Sequence, residues 1–236
     1  IIGRLVGSEM CIRDRVYLAA LSKGLSPETV ISDQPLEIGS WRPKNFDGVY
    51  RTQVSLRQAL QMSYNLATVR LSEKIGRDLT IKMAYRLGIN AKLDNKPSLA
   101  LGSSGVSLIN MTAAYVAISN GGFPVEPYGI SSIETEKGEL IYARREQAAT
   151  PIASPKVIAD MNLMLEDVIA RGTGKKANIG RTAAGKTGTS QDYRDAWFIG
   201  YSEGLTVGVW VGRDDNRPML KITGGSIPAK IWAEFM

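Results

Sequence analysis

The segment Ala184-Gly185-Lys186-Thr187-Gly188-Thr189-Ser190, followed closely by Asp195-Ala196-Trp197-Phe198-Ile199-Gly200-Tyr201, decides the fold of this chain. Successive side chains of a strand point to opposite faces, so Lys186 and Gly188 share one face and Thr187 and Thr189 the other. Gly188 leaves room for another backbone alongside. A cation, hydroxyls and free N–H groups on an edge strand suit an extended peptide that carries a carboxylate. The pattern favours the wall of an active site over a solvated strand end with chance polar residues.

The composition indicates a globular chain and excludes several kinds of catalytic and binding site. The 236 residues are 44% hydrophobic, enough for one sizeable core or two closely packed lobes. Histidine is absent, so acid–base chemistry falls to lysine, serine, tyrosine or carboxylates. The single cysteine, Cys11, cannot form an internal disulfide or a cysteine metal site, and we expect no cofactor and no metal. The net charge of +6 is spread without a basic run or interleaved aromatic residues, so we expect no nucleic-acid partner.

The strand and helix signals predict an antiparallel sheet covered by helices, beside a helical lobe. Three strands at 181–190, 196–201 and 205–211 are joined by short links, which require antiparallel neighbours. A hairpin is expected across 130–142. Apolar spacing with glycine or proline limits predicts helices at 16–23, 66–75, 81–87, 108–119 and 157–170, the last with an apolar stripe of Ile158, Met161, Leu165 and Val168. The fold class is therefore α/β of the α+β kind.

Ser63-Tyr64-Asn65 lies between two predicted helices. Ser55 is the expected N-cap of the first helix, on one face of which Leu56, Ala59, Leu60 and Ser63 are predicted to fall. A Ser-x-Asn pair alone indicates only a cap between helices. Its place ahead of Lys-Thr-Gly changes this interpretation, because S-x-x-K, an S-x-N-type triplet and K-T-G are the catalytic set of class A β-lactamases and penicillin-binding proteins.

From about Val16 to its end, the chain resembles the transpeptidase domain of class A (bifunctional) penicillin-binding proteins. The motifs that carry the resemblance are Trp41-x-Pro43-x-Asn45-x-Asp47, Val54-Ser55-Leu56-Arg57-x-Ala59-Leu60-x-x-Ser63-x-Asn65, Ala100-Leu101-Gly102, Asn120-Gly121-Gly122, Lys186-Thr187-Gly188-Thr189, Asp195-Ala196-Trp197-Phe198-Ile199-Gly200 and Ile231-Trp232-x-x-Phe235-Met236. We therefore assign residues 16–236 to a fragment of this domain. Residues 1–15 look like a non-native segment, similar to translated sequencing-adaptor read-through.

The resemblance implies the β-lactamase/penicillin-binding transpeptidase fold and the activity of a peptidoglycan D,D-transpeptidase, a serine acyltransferase. Such an enzyme transfers the acyl group of a stem peptide that ends in D-Ala-D-Ala to an amine on another peptidoglycan strand. A β-lactam resembles that donor and becomes trapped on the enzyme. The implied catalytic residues are Ser63, which relays a proton to the leaving nitrogen, and Lys186, which holds that hydroxyl. The implied substrate-binding residues are Asn65, Thr187, Gly188 and Thr189, with the threonines on the carboxylate and the Thr189 N–H as an oxyanion donor.

The chain departs from the family at its nucleophile. Aligned on Tyr17-Leu18-Ala19-Ala20-Leu21, the nucleophilic serine falls on Met10 and its lysine on Arg13. Methionine has no hydroxyl to acylate, and arginine stays protonated. Thr173-x-x-Lys176 is interpreted as a structural loop. Ser63 is expected to lack a neighbouring base and to stay a weak nucleophile, so the chain as written is predicted to bind no penicillin covalently.

Two other functional classes stay open: a non-catalytic penicillin-recognising sensor or scaffold, and a stand-alone D,D-carboxypeptidase or β-lactamase. The loop 41–47 favours the bifunctional synthase, whose glycosyltransferase and membrane helix would precede this fragment. No apolar run approaches the roughly 18 residues of a membrane span, and we expect no signal peptide ahead of the fold. We expect an extracytoplasmic domain on the periplasmic face of the bacterial inner membrane.

Overall fold

The structure is a computed structural model, and it describes residues 13–102, 105–145 and 148–236. Its helices are α1 (Arg13–Ser22), α2 (Leu56–Met62), α3 (Asn65–Ile75), α4 (Arg77–Arg86), α5 (Leu108–Ser119), α6 (Pro155–Ala170) and α7 (Ile227–Phe235). Its strands are β1 (Val30–Asp33), β2 (Arg51–Ser55), β3 (Ser132–Glu134), β4 (Leu140–Ala143), β5 (Ala184–Thr189), β6 (Asp195–Ser202) and β7 (Leu205–Gly212). Helices and antiparallel pairs together confirm the predicted α+β class.

The main sheet has the order β5-β6-β7, and both of its pairs are antiparallel. Strand β5 therefore lies at an edge, as predicted. It begins at Ala184 rather than at residue 181, because Ala184 lies opposite Tyr201 near the end of β6 and the pairing stops there. Helices α5 and α6 pack on the sheet, and α7 packs on it through Trp232, whose ring makes an edge contact with Phe198.

Helix α1 lies at the centre of the helical lobe, against α3, α4 and α6. Every residue from Val16 to Ala20 has no exposed surface, and Leu21 has 2%. The helix begins at Arg13, three residues before the predicted start, so that Asp14 and Arg15 also enter the core. Burial on all sides explains why an amphipathic pattern is missing here.

The α2–α3 connection places Ser63 at a tight turn. The Ser55 hydroxyl accepts a hydrogen bond from the Gln58 N–H at 3.1 Å and caps α2, as predicted. Leu56, Ala59 and Leu60 are fully buried. Ser63 does not continue that face: it ends the helix in the left-handed conformation, with φ 58°.

The remaining elements match the sequence except at their ends and in one strand pair. Helix α5 has the predicted bounds, and the four stripe residues of α6 are buried. The hairpin β3–β4 forms, whereas α4 begins at Arg77 instead of residue 81. The pair β1–β2 was not predicted. Strand β2 runs directly into α2, so the sequence pattern of its five residues cannot be separated from that of the helix start.

Candidate active site

A cavity of about 290 Å³ lies between the helical lobe and β5. All six residues that the sequence assigned to a site line it: Ser63, Asn65, Lys186, Thr187, Gly188 and Thr189. The first two come from the α2–α3 turn and the other four from the edge strand. Tertiary packing thus brings together two segments more than 120 residues apart, since Lys186 and Ser63 are separated by 123 positions.

Lys186 and Ser63 are joined by a direct hydrogen bond, from Nζ to Oγ. Lys186 also donates to the Thr187 carbonyl oxygen at 2.9 Å, and only 1% of its surface is exposed. Burial, followed by the nearby Arg13 cation, lowers its pKa from the ordinary 10.5 to about 7, against the opposing effect of Asp14. The expectation that Ser63 lacks a neighbouring base is therefore wrong, because strand β5 carries Lys186 into the interior instead of leaving it at a solvated edge.

Arg13 occupies the side of the cavity where the alignment placed the family's lysine. Its guanidinium donates to the Ser63 carbonyl oxygen at 2.6 Å and to Asn65 Oδ1 at 2.7 Å. The next residue, Asp14, is 1% exposed, and burial raises its pKa. The Tyr115 hydroxyl donates to Asp14 Oδ2. Met10 lies outside the described residues.

Asn65 is held in place by the loop that precedes β2. Its Nδ2 donates to the Lys44 carbonyl oxygen at 2.8 Å, while Asn45 Oδ1 accepts from the backbone N–H groups of Asn65 and Leu66 at 2.9 and 3.1 Å. Asn45 thus caps the start of α3. Among the described residues, one N–H of the Asn65 amide and one lone pair of its oxygen have no hydrogen-bond partner.

The hydroxyls of β5 are tied to two glycine-containing loops. Thr187 Oγ1 and Thr173 Oγ1 lie 2.6 Å apart, and Thr189 Oγ1 accepts from the Gly224 N–H at 3.1 Å. Thr173 also lines the cavity. The loop that carries Thr173 was interpreted as structural, and it is anchored where the Thr173 N–H donates to the Gln61 carbonyl oxygen at 3.2 Å, beside the hydroxyl contact with β5.

Sequence reasoning missed several other lining residues. Phe46 lies inside the quoted 41–47 loop but was given no role, and its ring makes an edge contact with Tyr193. Thr223 and Gly225 line the cavity from the segment before α7. A Cβ on Gly224 would lie 2.2 Å from the Trp197 carbonyl oxygen and 2.5 Å from that of Gly188, so this segment packs directly on the β5–β6 backbone. The adjacent glycines 224 and 225 are the sequence feature that could have indicated this close packing.

The described part of the chain lacks two kinds of feature. Within residues 13–102, 105–145 and 148–236, no helix has the length and apolarity needed to cross a bilayer. The same ranges contain no group of three or more histidine, cysteine, aspartate or glutamate side chains arranged to hold a metal ion.

Comparison with known proteins gives consistent results. The family model described as "Penicillin binding protein transpeptidase domain" matches residues 15–236. Penicillin-binding protein 1A of Rickettsia felis is 35% identical over 251 aligned positions that cover 94% of this chain, and that of Aquifex aeolicus is 35% identical over 236 positions that cover 95%. The chain spans about a third of each relative, 32% of its length.

Solved structures agree with these relatives. Penicillin-binding protein 1A from Haemophilus influenzae superimposes with a TM-score of 0.88 at 26% identity, over 98% of this chain and 42% of that one. The PonA1 protein from Mycobacterium tuberculosis, in complex with penicillin V, gives 0.86 at 22% identity over 98% of this chain and 67% of that one, which is a likeness of fold. By sequence and by fold, the chain belongs to the family of penicillin-binding protein transpeptidase domains.

Proposed function

We propose that this domain is a peptidoglycan D,D-transpeptidase domain, built for acyl transfer from stem peptides that end in D-Ala-D-Ala and for binding β-lactams. The observation that carries the proposal is the hydrogen bond from buried Lys186 to Ser63 at a cavity that threonine hydroxyls also line. A lysine whose pKa is near 7 can hold or release a proton at neutral pH, which acyl transfer requires.

Ser63 is proposed as the proton relay and Lys186 as the group that controls it. In the family reaction a serine attacks the carbonyl of the donor, and the leaving nitrogen must gain a proton. The Ser63 hydroxyl can pass one on, because Lys186 restores it through the direct hydrogen bond. The cation at Lys186 also favours the negative charge that develops on the attacked carbonyl.

Thr187 and Thr189 are proposed to hold the terminal carboxylate of the donor, beside the Gly188 backbone. Both residues line the cavity; the Thr187 hydroxyl contacts Thr173 and Lys186, and the Thr189 hydroxyl accepts from Gly224, which leaves the Thr189 O–H as a further donor. Asn65 is proposed to bind the donor's amide backbone with its remaining N–H. A relative of the same fold is described in complex with penicillin V, which carries a carboxylate next to its reactive amide.

The setting follows from the relatives, which are about three times longer than this chain. We propose an extracytoplasmic domain at the periplasmic face of the inner membrane, with a membrane anchor and a glycosyltransferase in the N-terminal part of a longer protein. Residues 1–15 are proposed as non-native, which the genomic sequence upstream of Val16 decides. A stand-alone D,D-carboxypeptidase or β-lactamase shares the same residues, but no contact in the cavity favours it.

A non-catalytic penicillin-recognising sensor is favoured by one observation. Arg13 is fixed by hydrogen bonds to Ser63 and Asn65, so a permanent cation stands where the family places its basic lysine. The substitutions Met10→Ser and Arg13→Lys, made together in the full chain, restore the missing motif; we call this the restored variant. It should form a covalent adduct with a fluorescent penicillin at position 10. A folded restored variant without an adduct at that position would support the sensor instead.

A further inference from the structure

Ser63 and Lys186 have the arrangement of a nucleophile and its base. Their side chains are joined directly, Lys186 is buried, and Ser63 is half-buried at the cavity. A serine hydroxyl becomes a nucleophile when an adjacent base can take its proton, and serine–lysine pairs are one variant of this arrangement. We propose that, in the chain as it stands, Ser63 itself attacks β-lactams and is acylated, with Lys186 as the base.

The backbone presents Ser63 toward the ligand. It occupies a left-handed conformation, φ 58° and ψ 43°, between α2 and α3. Six non-glycine residues of the described ranges have positive φ, and Ser63 is the one among them that lines the cavity. Such backbone strain at a site is a reason to look for function there, and a serine on a sharp turn exposes its hydroxyl.

Arg13 changes which amine acts as the base. The family's lysine at this position can lose its proton, whereas a guanidinium keeps its charge. The permanent cation beside Ser63 therefore disfavours a second positive charge on Lys186. Arg13 also bonds to the Ser63 carbonyl oxygen at 2.6 Å, so it places positive charge close to the alkoxide that forms during attack.

The other groups that face Lys186 leave this assignment intact. Asp14 of α1 favours the charged lysine, but its effect is smaller than those of burial and Arg13. Thr187 offers only its carbonyl and hydroxyl oxygens to Lys186. On α6, which also packs on β5, Asp167 is bonded to Arg57 and Arg171. Neutral Lys186 is thus accessible close to pH 7.

The proposed step is balanced within the residues present. The proton of Ser63 Oγ passes to the neutral Nζ of Lys186 while Oγ forms a bond to the β-lactam carbonyl carbon. The ring C–N bond then breaks, and the Lys186 ammonium returns the proton to the ring nitrogen. No atom leaves, so the acylated chain gains the full mass of the antibiotic.

The inference rests on the proposed function, because the cavity must accept a β-lactam. The test uses the full chain and a fluorescent penicillin. After incubation, intact mass and mapping of the labelled peptide locate the adduct. We expect a single addition on Ser63, absent from Ser63→Ala and reduced about 10²-fold or more in Lys186→Arg, which keeps the charge but supplies no base. Ser22→Ala on α1 and Lys230→Arg on α7 are matched controls and should label like the parent chain.

The labelling rate should also rise with pH through about 7, because only neutral Lys186 accepts the proton. Mapping on the unsubstituted chain decides the question even if a variant unfolds. No adduct on Ser63 in the parent chain, together with an adduct at position 10 of the restored variant, would overturn this inference and leave the proposed function standing. No adduct in either chain would overturn both, and labelling of Ser63 that is unchanged in Lys186→Arg would remove Lys186 as the base.

Discussion

At the scale of single residues, the cavity depends on one lysine that the fold removes from water. Lys186 belongs to the edge strand β5, yet it is only 1% exposed and is hydrogen-bonded to Ser63 and Thr187. Burying a charged amine is costly, and the low pKa of Lys186 is the sign of that cost. The same burial that makes this residue useful as a proton carrier therefore makes it a source of pH-dependent stability.

We predict that Lys186→Met lowers second-order penicillin acylation of the restored variant by about 10²- to 10⁴-fold without lowering the free energy of unfolding. With a folded pKa of about 7 and an ordinary value of 10.5, the unfolded chain binds the extra proton between these values. The parent chain should therefore gain stability as the pH rises through that window, and Lys186→Met should lack this gain. Denaturant unfolding at several pH values measures it, and equal slopes in both chains would contradict the prediction.

A second prediction at this scale concerns the two threonines. Thr187→Val together with Thr189→Val should weaken binding of a D-Ala-D-Ala donor more than tenfold, because each hydrogen bond to a charged group is worth about 1.5 to 3 kcal/mol. Competition against fluorescent penicillin measures the affinity. The control donor has its carboxylate amidated and should lose much less. Equal losses of affinity for both donors would show that the hydroxyls do not bind the carboxylate.

At the scale of elements, the site is held by the contact between a loop and the edge strand. The segment 223–225, which precedes α7, packs on the β5–β6 pair at Gly188 and Trp197 and bonds to Thr189. The room that Gly188 leaves is thus used in part by this chain's own Gly224. The sequence had assigned that room to a substrate backbone.

Gly224→Ala should displace this segment, because its Cβ would lie 2.2 Å from the Trp197 carbonyl oxygen. We expect a loss of stability of about 1 to 3 kcal/mol, as for overpacked sites, and slower acylation of the restored variant. Gly129→Ala is the matched control, since a Cβ there meets nothing within 4 Å, and it should change neither property. Thermal melting and labelling rates test both, and similar behaviour of the two variants would refute the packing argument.

At the scale of the whole molecule, α1 carries charge into the core around which the helical lobe is built. Asp14 and Arg15 are 1% and 0% exposed, and Asp14 accepts a hydrogen bond from Tyr115 of α5. Burial raises the Asp14 pKa above its ordinary value of 3.8, so the folded chain binds more protons than the unfolded chain just above that value. Global stability should therefore fall as the pH rises through the folded pKa of Asp14.

Asp14→Asn keeps the size and an acceptor for Tyr115, and it should remove this fall in stability. The control is Asp215→Asn: Arg213 lowers the pKa of that exposed carboxyl to about 2, so any effect of its titration falls below pH 4 and this variant should follow the parent chain over the measured range. Chemical denaturation from pH 4 to pH 8 compares the three chains. If Asp14→Asn and the parent chain show the same pH dependence, the buried carboxyl does not control global stability.

The sequence by itself determined the fold class, the edge position of β5 and the Ser55 cap, because these depend on local periodicity and turn chemistry, and the motif order and family resemblance indicated six of the residues that line the cavity. Its resemblance to the family also predicts that Met10 and Arg13 stand at the positions of the nucleophile motif. Only the tertiary structure decided that Lys186 lies buried against Ser63, that Arg13 bonds to Ser63 and Asn65, and that Thr173 and Gly224 reach β5. Burial and the proximity of charges depend on contacts between residues that are distant in the chain, and a local sequence pattern does not specify those contacts.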